Sequence, residues 1–507
     1  MQRLLIAGAL VALMIVPLAQ GQAQETEFTP AQLKQIRKMF EEWSKQQKMD
    51  KPAAGAPARD MPAAGAPPAP PSQGRDTPAM GDTTKTQPRY GVDFSGGSGL
   101  QGGRTIYARP FVKAPKTIIG GYIDFSLTRC QGGARDCRAT LEFDQERFVP
   151  FFYSQVTDRL SVAAELEIEH GGPQSNQSDG DIKMEFATID YRFSDWFNLR
   201  GGIILVPMGR FNLIHDSPMN DLPLRPMVSR SILPSTFAES GLGFFGTIYP
   251  TQLSKIDYEF YVTNGFDGRN GQLRESNGTR GSRGSLSRDR NENKAIVSRI
   301  SVSPVLGVEV AGSVHHGQWN DESDVYVGEE NNLITERKKH NLTLMAVDGN
   351  LQRGPFEIQG EAAWANIEGA RTYITRAGSV AVQNADDSMR RRILQDPGNQ
   401  YIVPESMFGY YLQLNYHFMP DALTRTFPSY FGQDSTFTGI VRWGEADTNT
   451  DSDLNPNDEE RLTLGLNFRP IEDSVIKFAY TFNKIGQTVR NPGRTANGFQ
   501  FNLSTYF

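Results

Sequence analysis

The sequence predicts an all-β chain that closes into a transmembrane antiparallel barrel of about sixteen strands, preceded by a short helix and a Pro/Ala/Gly-rich linker. Three observations predict it. Apolar and polar residues alternate with period two in repeated runs spread over residues 117–507. The connections between these runs alternate between short turns and long polar loops. The final run, Gly498–Phe507, carries Phe499, Phe501, Leu503 and Phe507 on one face. Composition agrees: the 507 residues carry a formal net charge of -6 and a mean hydropathy of -0.46. That hydropathy excludes a bundle of membrane helices, each of which needs roughly 20 mostly apolar residues. It permits a barrel, whose lipid-facing residues are diluted by polar ones. The mild acidity argues against a nucleic-acid binder.

In chain order, residues 1–23 read as a secretory signal peptide: Arg3, then an apolar run from Leu4 to Leu18, then small residues at a cleavage spacing. Cys130 and Cys137 are the only cysteines. In an oxidising compartment they are a disulfide candidate, the alternative being a pair of unreactive thiols. Within residues 24–50, Leu33, Ile36, Phe40 and Trp43 form a helical stripe. Alone such a helix is marginal in water, so its stripe is expected to meet a partner helix, as in a coiled coil, or another surface of the same protein. Residues 51–103 are rich in Pro, Ala and Gly and read as an extended spacer.

From residue 104 the chain is read as the barrel. The expected strands are 117–128, 138–156, 159–169, 181–193, 196–206, 241–249, 255–263, 295–303, 305–315, 340–349, 355–366, 406–418, 435–445, 460–469, 474–484 and 498–507. Runs such as Leu462, Leu464, Leu466 and Phe468, interleaved with Thr463, Asn467 and Arg469, have one apolar and one polar face. Most are close to the about 9–11 residues that cross a bilayer when tilted. The second run is longer than needed and is interrupted by Pro150, and the connection 420–435 is long where a short turn is due. Aromatic residues gather near strand ends, as at Tyr191, Phe193, Trp196 and Phe197, which suits a membrane interface. An even strand count puts both termini on one side, the periplasm.

The stretch "ELEIEHGG…GDIKMEFATIDYRFSDWFNLRGGIILVPMGRFNLIHD…RPMVSRSILPSTFAESGLGFFG" and the end "DEERLTLGLNFRPIEDSVIKFAYTFN…FQFNLSTYF" resemble bacterial outer-membrane porins of the phosphate-selective porin O and P family. The likeness covers roughly 150–262 and 435–507. It implies a sixteen-stranded, trimeric diffusion channel for small hydrophilic solutes or ions, with phosphate or other anions as candidate solutes. The last strand, ending at Phe507, resembles the signal read by the barrel assembly machinery. Lipid and lipopolysaccharide are the other expected partners. The inward faces are locally acidic (Glu165, Glu167, Glu169, Glu185, Glu357, Glu361), so phosphate does not follow from the resemblance by itself.

Selectivity in such a channel comes from charge at a constriction. The loop 207–240 is the third external loop, and its Arg210, His215, Asp216, Asp221, Arg225, Arg230 and Glu239 are the constriction candidates. Arg200, Arg442 and Lys477 are the pore-wall candidates, facing those acids across the lumen. The bland alternative is that the charges pair locally and stiffen the loop. The arginines of 264–294, among them Arg269, Arg280 and Arg283, are expected to be solvated on an external loop, the alternative being that they funnel anions or pair with lipopolysaccharide phosphates. The run 447–453 has an alternating acidic pattern, but Ser452 stands where a Ca²⁺ loop needs Gly. No HExxH or GxSxG motif occurs, so no enzyme activity, cofactor or metal is expected. The competing function is a structural anchor joining the barrel to a periplasmic partner or the cell wall through the helix.

Overall fold

A computed structural model describes residues 117–507 apart from 132–138, 174–179, 285, 287–288, 290–291, 329–331, most of 376–399, 433, 453–457 and 487–493. The expected signal peptide, helix and linker lie outside the described residues. Sixteen long strands form the wall: β1 (Thr117–Cys130), β2 (Glu142–Gln155), β3 (Leu160–Glu169), β4 (Asp181–Arg192), β5 (Asn198–Leu205), β6 (Ala238–Ile248), β7 (Lys255–Thr263) and β8 (Ala295–Ser303), then β9 (Val308–Gln318), β10 (Asn341–Arg353), β11 (Phe356–Ile367), β12 (Ser406–Phe418), β13 (Thr436–Asp447), β14 (Glu459–Ile471), β15 (Ser474–Ile485) and β16 (Gly498–Tyr506). Each pairs antiparallel with its neighbour in sequence. The ring closes because β1 also pairs with β16, from Tyr122↔Tyr506 to Cys130↔Gly498. Closure leaves no strand edge in the wall, which lipid would make costly by several kcal/mol per unpaired group.

Orientation follows from burial. On β15, Phe478, Tyr480 and Phe482 are 45%, 42% and 43% exposed, while Lys477, Thr481 and Asn483 between them are buried. On β14, Leu464 and Leu466 are exposed, and Thr463 and Asn467 are buried. The apolar face is outside and the polar face inside, the reverse of a soluble sandwich. The outer face is therefore the lipid-facing surface of a transmembrane barrel.

Except after β12, connections after even-numbered strands are short, as at 156–159, 193–197 and 354–355; those after odd-numbered strands are long. Phe193 packs 4.8 Å from Tyr191 and 5.6 Å from Phe197, and Phe437 packs 4.7 Å from Phe468. Phe507 stacks on Phe148 at 5.7 Å. These rings gather toward the short-turn rim, where both Thr117 and Phe507 also lie. The long connection after β12 carries a helix, Asp421–Thr426, exposed along most of its length. Pro150 does not interrupt β2; it pairs opposite Gly121 within a continuous ladder. A Cβ on Gly121 would come within 2.3 Å of the Val149 carbonyl oxygen, so this crossing tolerates only glycine. Cys130 is disulfide-bonded; Cys137 lies outside the described residues.

Candidate constriction inside the barrel

The connection between β5 and β6, residues 206–237, folds into the barrel rather than away from it. Its apolar side chains explain why. Val206, Met208, Val228, Ile232, Leu233 and Phe237 are buried in a cluster with Tyr261, Val297, Leu344 and Met407 of the wall and with Phe266, Leu273 and Trp319 of other long loops. One flank of the loop is thus held by about 25 cal/mol per Å² of buried apolar surface. Gly209 starts the inward course with φ 69, and a Cβ there would lie 2.5 Å from Glu361 Oε2.

Polar contacts tie the loop around much of the wall. Glu361 of β11 accepts from the Phe211 amide and the Ser229 hydroxyl, both at 3.0 Å, so one carboxylate staples two turns of the loop. Ser313 of β9 accepts from the Gly209 amide at 3.2 Å. On the far side, Asp221 accepts from Asn415 of β12 at 2.8 Å, and from Asn467 at 3.0 Å and Arg469 at 3.3 Å of β14. Tyr506 of β16 donates to Asp216 at 2.8 Å. Arg469 also holds the Pro218 carbonyl at 2.7 Å. The loop therefore leaves β5 and β6 and crosses the lumen to the wall formed by β9–β16.

Not every candidate lies where the sequence suggested. Arg210 begins a short helix, Arg210–Leu213, and approaches Glu309 of β9 at 3.7 Å. Arg230 lies in the short helix Val228–Ser231. Glu239 is not in the loop: β6 already begins at Ala238, because Glu239 faces inward from the ladder to accept from Thr263 Oγ1 and to meet His315 Nε2 at 3.3 Å. Among the wall candidates, Arg200 grips Asp190 through two bonds of 2.8 Å and lines a cavity of about 420 Å³ with Arg210, Glu259 and Arg299. Arg442 and Lys477 do not face acids across open lumen. Arg442 donates to the Leu224 carbonyl and Lys477 to the Ser217 carbonyl, at 2.7 and 2.6 Å, so both are struts for the loop.

Two groupings escaped the sequence, although it named their members singly. Arg280 and Arg283, read there as external, reach inward. Arg280 donates to the Ser235 carbonyl at 2.9 Å and Arg283 to the Thr236 carbonyl at 2.9 Å, beside Arg225, which donates to the Ser235 carbonyl at 3.3 Å. Among the described residues none of the three has a carboxylate within ion-pair distance. Burial, Arg280 and Arg225 push the Arg283 guanidinium down to about 10, and burial and Arg225 lower that of Arg280. Glu167 and Glu169 of β3 act on both from a distance. Those two carboxylates are themselves paired to Lys183 at 2.7 and 2.8 Å. The other group surrounds His215. Burial alone lowers the imidazole, but Glu185 at 3.0 Å more than offsets this, and His215 is raised overall. Burial raises the neighbouring Asp216.

No family model matches the chain. An uncharacterized protein of Aquifex aeolicus (strain VF5) is 26% identical over 276 residues, which are 54% of this chain and 56% of that protein. The chain thus spans about half the length of the curated relative it matches. Three solved structures are similar at low identity, each over 77% of this chain. The outer membrane channel DcaP of Acinetobacter baumannii is 10% identical over 97% of its own chain, with a TM-score of 0.46. Salmonella typhi OmpF in complex with daunomycin is 9% identical over 97%, with a TM-score of 0.47. The anion-selective porin from Comamonas acidovorans is 10% identical over 99%, with a TM-score of 0.43. None of these comparisons singles out the phosphate-selective type.

Proposed function

We propose that the chain is an outer-membrane porin: a passive diffusion channel for small hydrophilic solutes, with residues 206–237 as its constriction and a preference for anions. The observation that carries the reading is the loop tied across a polar lumen. A ring of this strand number leaves a water-filled interior, and a polar segment held inside it narrows the path without sealing it.

The sign of selectivity follows from which charges are neutralised. One ammonium, Lys183, is shared by Glu167 and Glu169, and Asp221 is met by Arg469. Among the described residues Arg225, Arg280 and Arg283 hold only neutral carbonyls and hydroxyls. Guanidiniums beside the path with no acid at ion-pair distance lower the barrier for anions, phosphate and carboxylates included, and raise it for cations. No covalent step or cofactor enters; solute moves down its gradient.

The periplasm is the side assigned to the short-turn rim, where Thr117 and Phe507 both emerge. A homotrimer in lipid and lipopolysaccharide, assembled through the β16 segment, belongs to the same reading. Reversal potential in a KCl gradient across a planar bilayer tests it. The wild type should prefer chloride, and Arg225→Gln/Arg280→Gln/Arg283→Gln should lose that preference. A silent barrel would favour the anchor role instead, and a cation-preferring one would overturn the assigned sign.

A further inference from the structure

His215, Glu165 and Glu185 are buried together where the inward loop meets the β3–β4 wall. One ligand atom from each lies within 4.8 Å of the others. The three residues come from separate parts of the fold, so the grouping is a product of the loop's inward course.

The imidazole is set as a ligand would be. Its Nδ1 lies 2.8 Å from the Asn212 carbonyl oxygen and donates to it. Its Nε2 then points at Glu185 Oε2, 3.0 Å away. A backbone carbonyl fixing the far nitrogen is the usual support of a metal-bound histidine. An ion at about 2.1 Å from both nitrogen and oxygen fits between atoms spaced in this way.

The carboxylates supply the independent observation. Glu165 is 4% exposed and Glu185 is 2% exposed. Glu165 Oε1 and Glu185 Oε1 are buried with no hydrogen-bond partner. Among the described residues Glu165 has no ion pair with any Lys, Arg or His. Asp216 adds a third carboxylate, its Oδ1 4.0 Å from Nε2. Three acids around one imidazole, two of them cut off from water, require a proton or a cation between them.

We propose that Glu165, Glu185 and His215 bind a divalent metal ion of the class that accepts imidazole, such as Zn²⁺, and that the ion fastens the inward loop to the β3–β4 wall. The donor set decides the class: one nitrogen and two carboxylates suit Zn²⁺ and its transition-metal neighbours, whereas Ca²⁺ and Mg²⁺ favour all-oxygen shells. The wall supplies both carboxylates and the loop supplies the nitrogen. Binding therefore couples directly to the position of the narrowest segment. The site stands on the barrel geometry and does not require that the channel conduct.

Calorimetric titration of ZnCl₂ into the full chain, purified in detergent and stripped with EDTA, tests it. One Zn²⁺ per chain is expected. Glu165→Gln and His215→Ala should each weaken binding by more than the about 10–100-fold that loss of a supporting group brings. Heat-modifiable migration on gels confirms that each variant is folded. Asp144→Asn, in the more open group of Asp144, Glu146 and His170, should leave binding unchanged. Absence of Zn²⁺ binding in the wild type, equal binding in the two ligand variants, or tighter binding of Ca²⁺ than of Zn²⁺ would each overturn the proposal. None of these results bears on conductance, so the channel reading stands or falls separately.

Discussion

Lys477 of β15 donates to the Ser217 carbonyl oxygen at 2.6 Å and to the Ser217 hydroxyl at 3.0 Å. The side chain is 1% exposed, and no carboxylate among the described residues lies within ion-pair distance. A buried ammonium held by neutral oxygens carries a desolvation penalty that its bonds only partly offset. Its contribution is therefore positional: it fixes one turn of the inward loop. Lys477→Met gives up bonds worth about 1.5–3 kcal/mol and also the penalty. Barrel melting should move little, while single-channel current becomes larger and noisier. An unaltered current trace would show that the strut is dispensable.

Asp221 is the acceptor on which Asn415, Asn467 and Arg469 converge. Asp221→Asn keeps the volume and replaces an acceptor oxygen by a donor facing other donors. The local loss should be about 1–3 kcal/mol. Combined with Asp216→Asn, it also removes two negative charges from the loop. Conductance should change, and reversal potentials should shift further toward anions. Identical conductance and ion preference would remove the loop from the permeation path.

Arg299 of β8 and Asp348 of β10 bond in bidentate fashion across the intervening β9, at 2.6 and 2.8 Å. Arg299→Met strands a buried carboxylate and should destabilise the barrel by about 3–5 kcal/mol. Arg299→Met/Asp348→Leu should recover most of that loss. Urea unfolding in micelles, followed by tryptophan fluorescence, measures both. A double variant no better than the single one would show that the pair itself stabilises the wall.

Asp324, in the loop between β9 and β10, is pushed up to about 6 by burial and by Asp321. Between its ordinary value and about 6, the folded loop holds a proton that the unfolded segment has released. Loop stability should therefore rise as pH falls through that window and stay flat above it. Hydrogen exchange of 319–328, corrected for intrinsic rates, should show greater protection at pH 5 than at pH 7. The reverse order would contradict the assignment.

The wall was legible because alternation is written locally: each strand declares its two faces within about ten residues. All sixteen strands fall where the alternation places them, and the differences lie at their ends. Glu239 belongs to a strand rather than a loop because its ladder partner, Ile204, cannot be seen from alternation. The inward loop was legible only in outline. That 206–237 matters could be read from its length and charges. That Lys477 and Arg442 serve as struts could not, since their partners lie 260 and 218 positions away. Arg280 and Arg283 looked solvated for the same reason: the carbonyls of Ser235 and Thr236 carry no sequence signature. Glu165 and Glu185 were visible as acids on inward faces, but their meeting with His215 depends on which way the loop turns.

The seam between β1 and β16 joins stretches of chain that stand at opposite extremes of the ring. Every other ladder in the wall can form between neighbours in sequence, whereas this one must await the whole circumference. Until it forms, any partial sheet presents two raw margins, and lipid offers them nothing to bond. Loop-closure entropy sets its heaviest toll at the same juncture. Insertion should thus behave as a single late commitment, with half-made rings short-lived and dependent on a chaperoning surface that shields both margins at once.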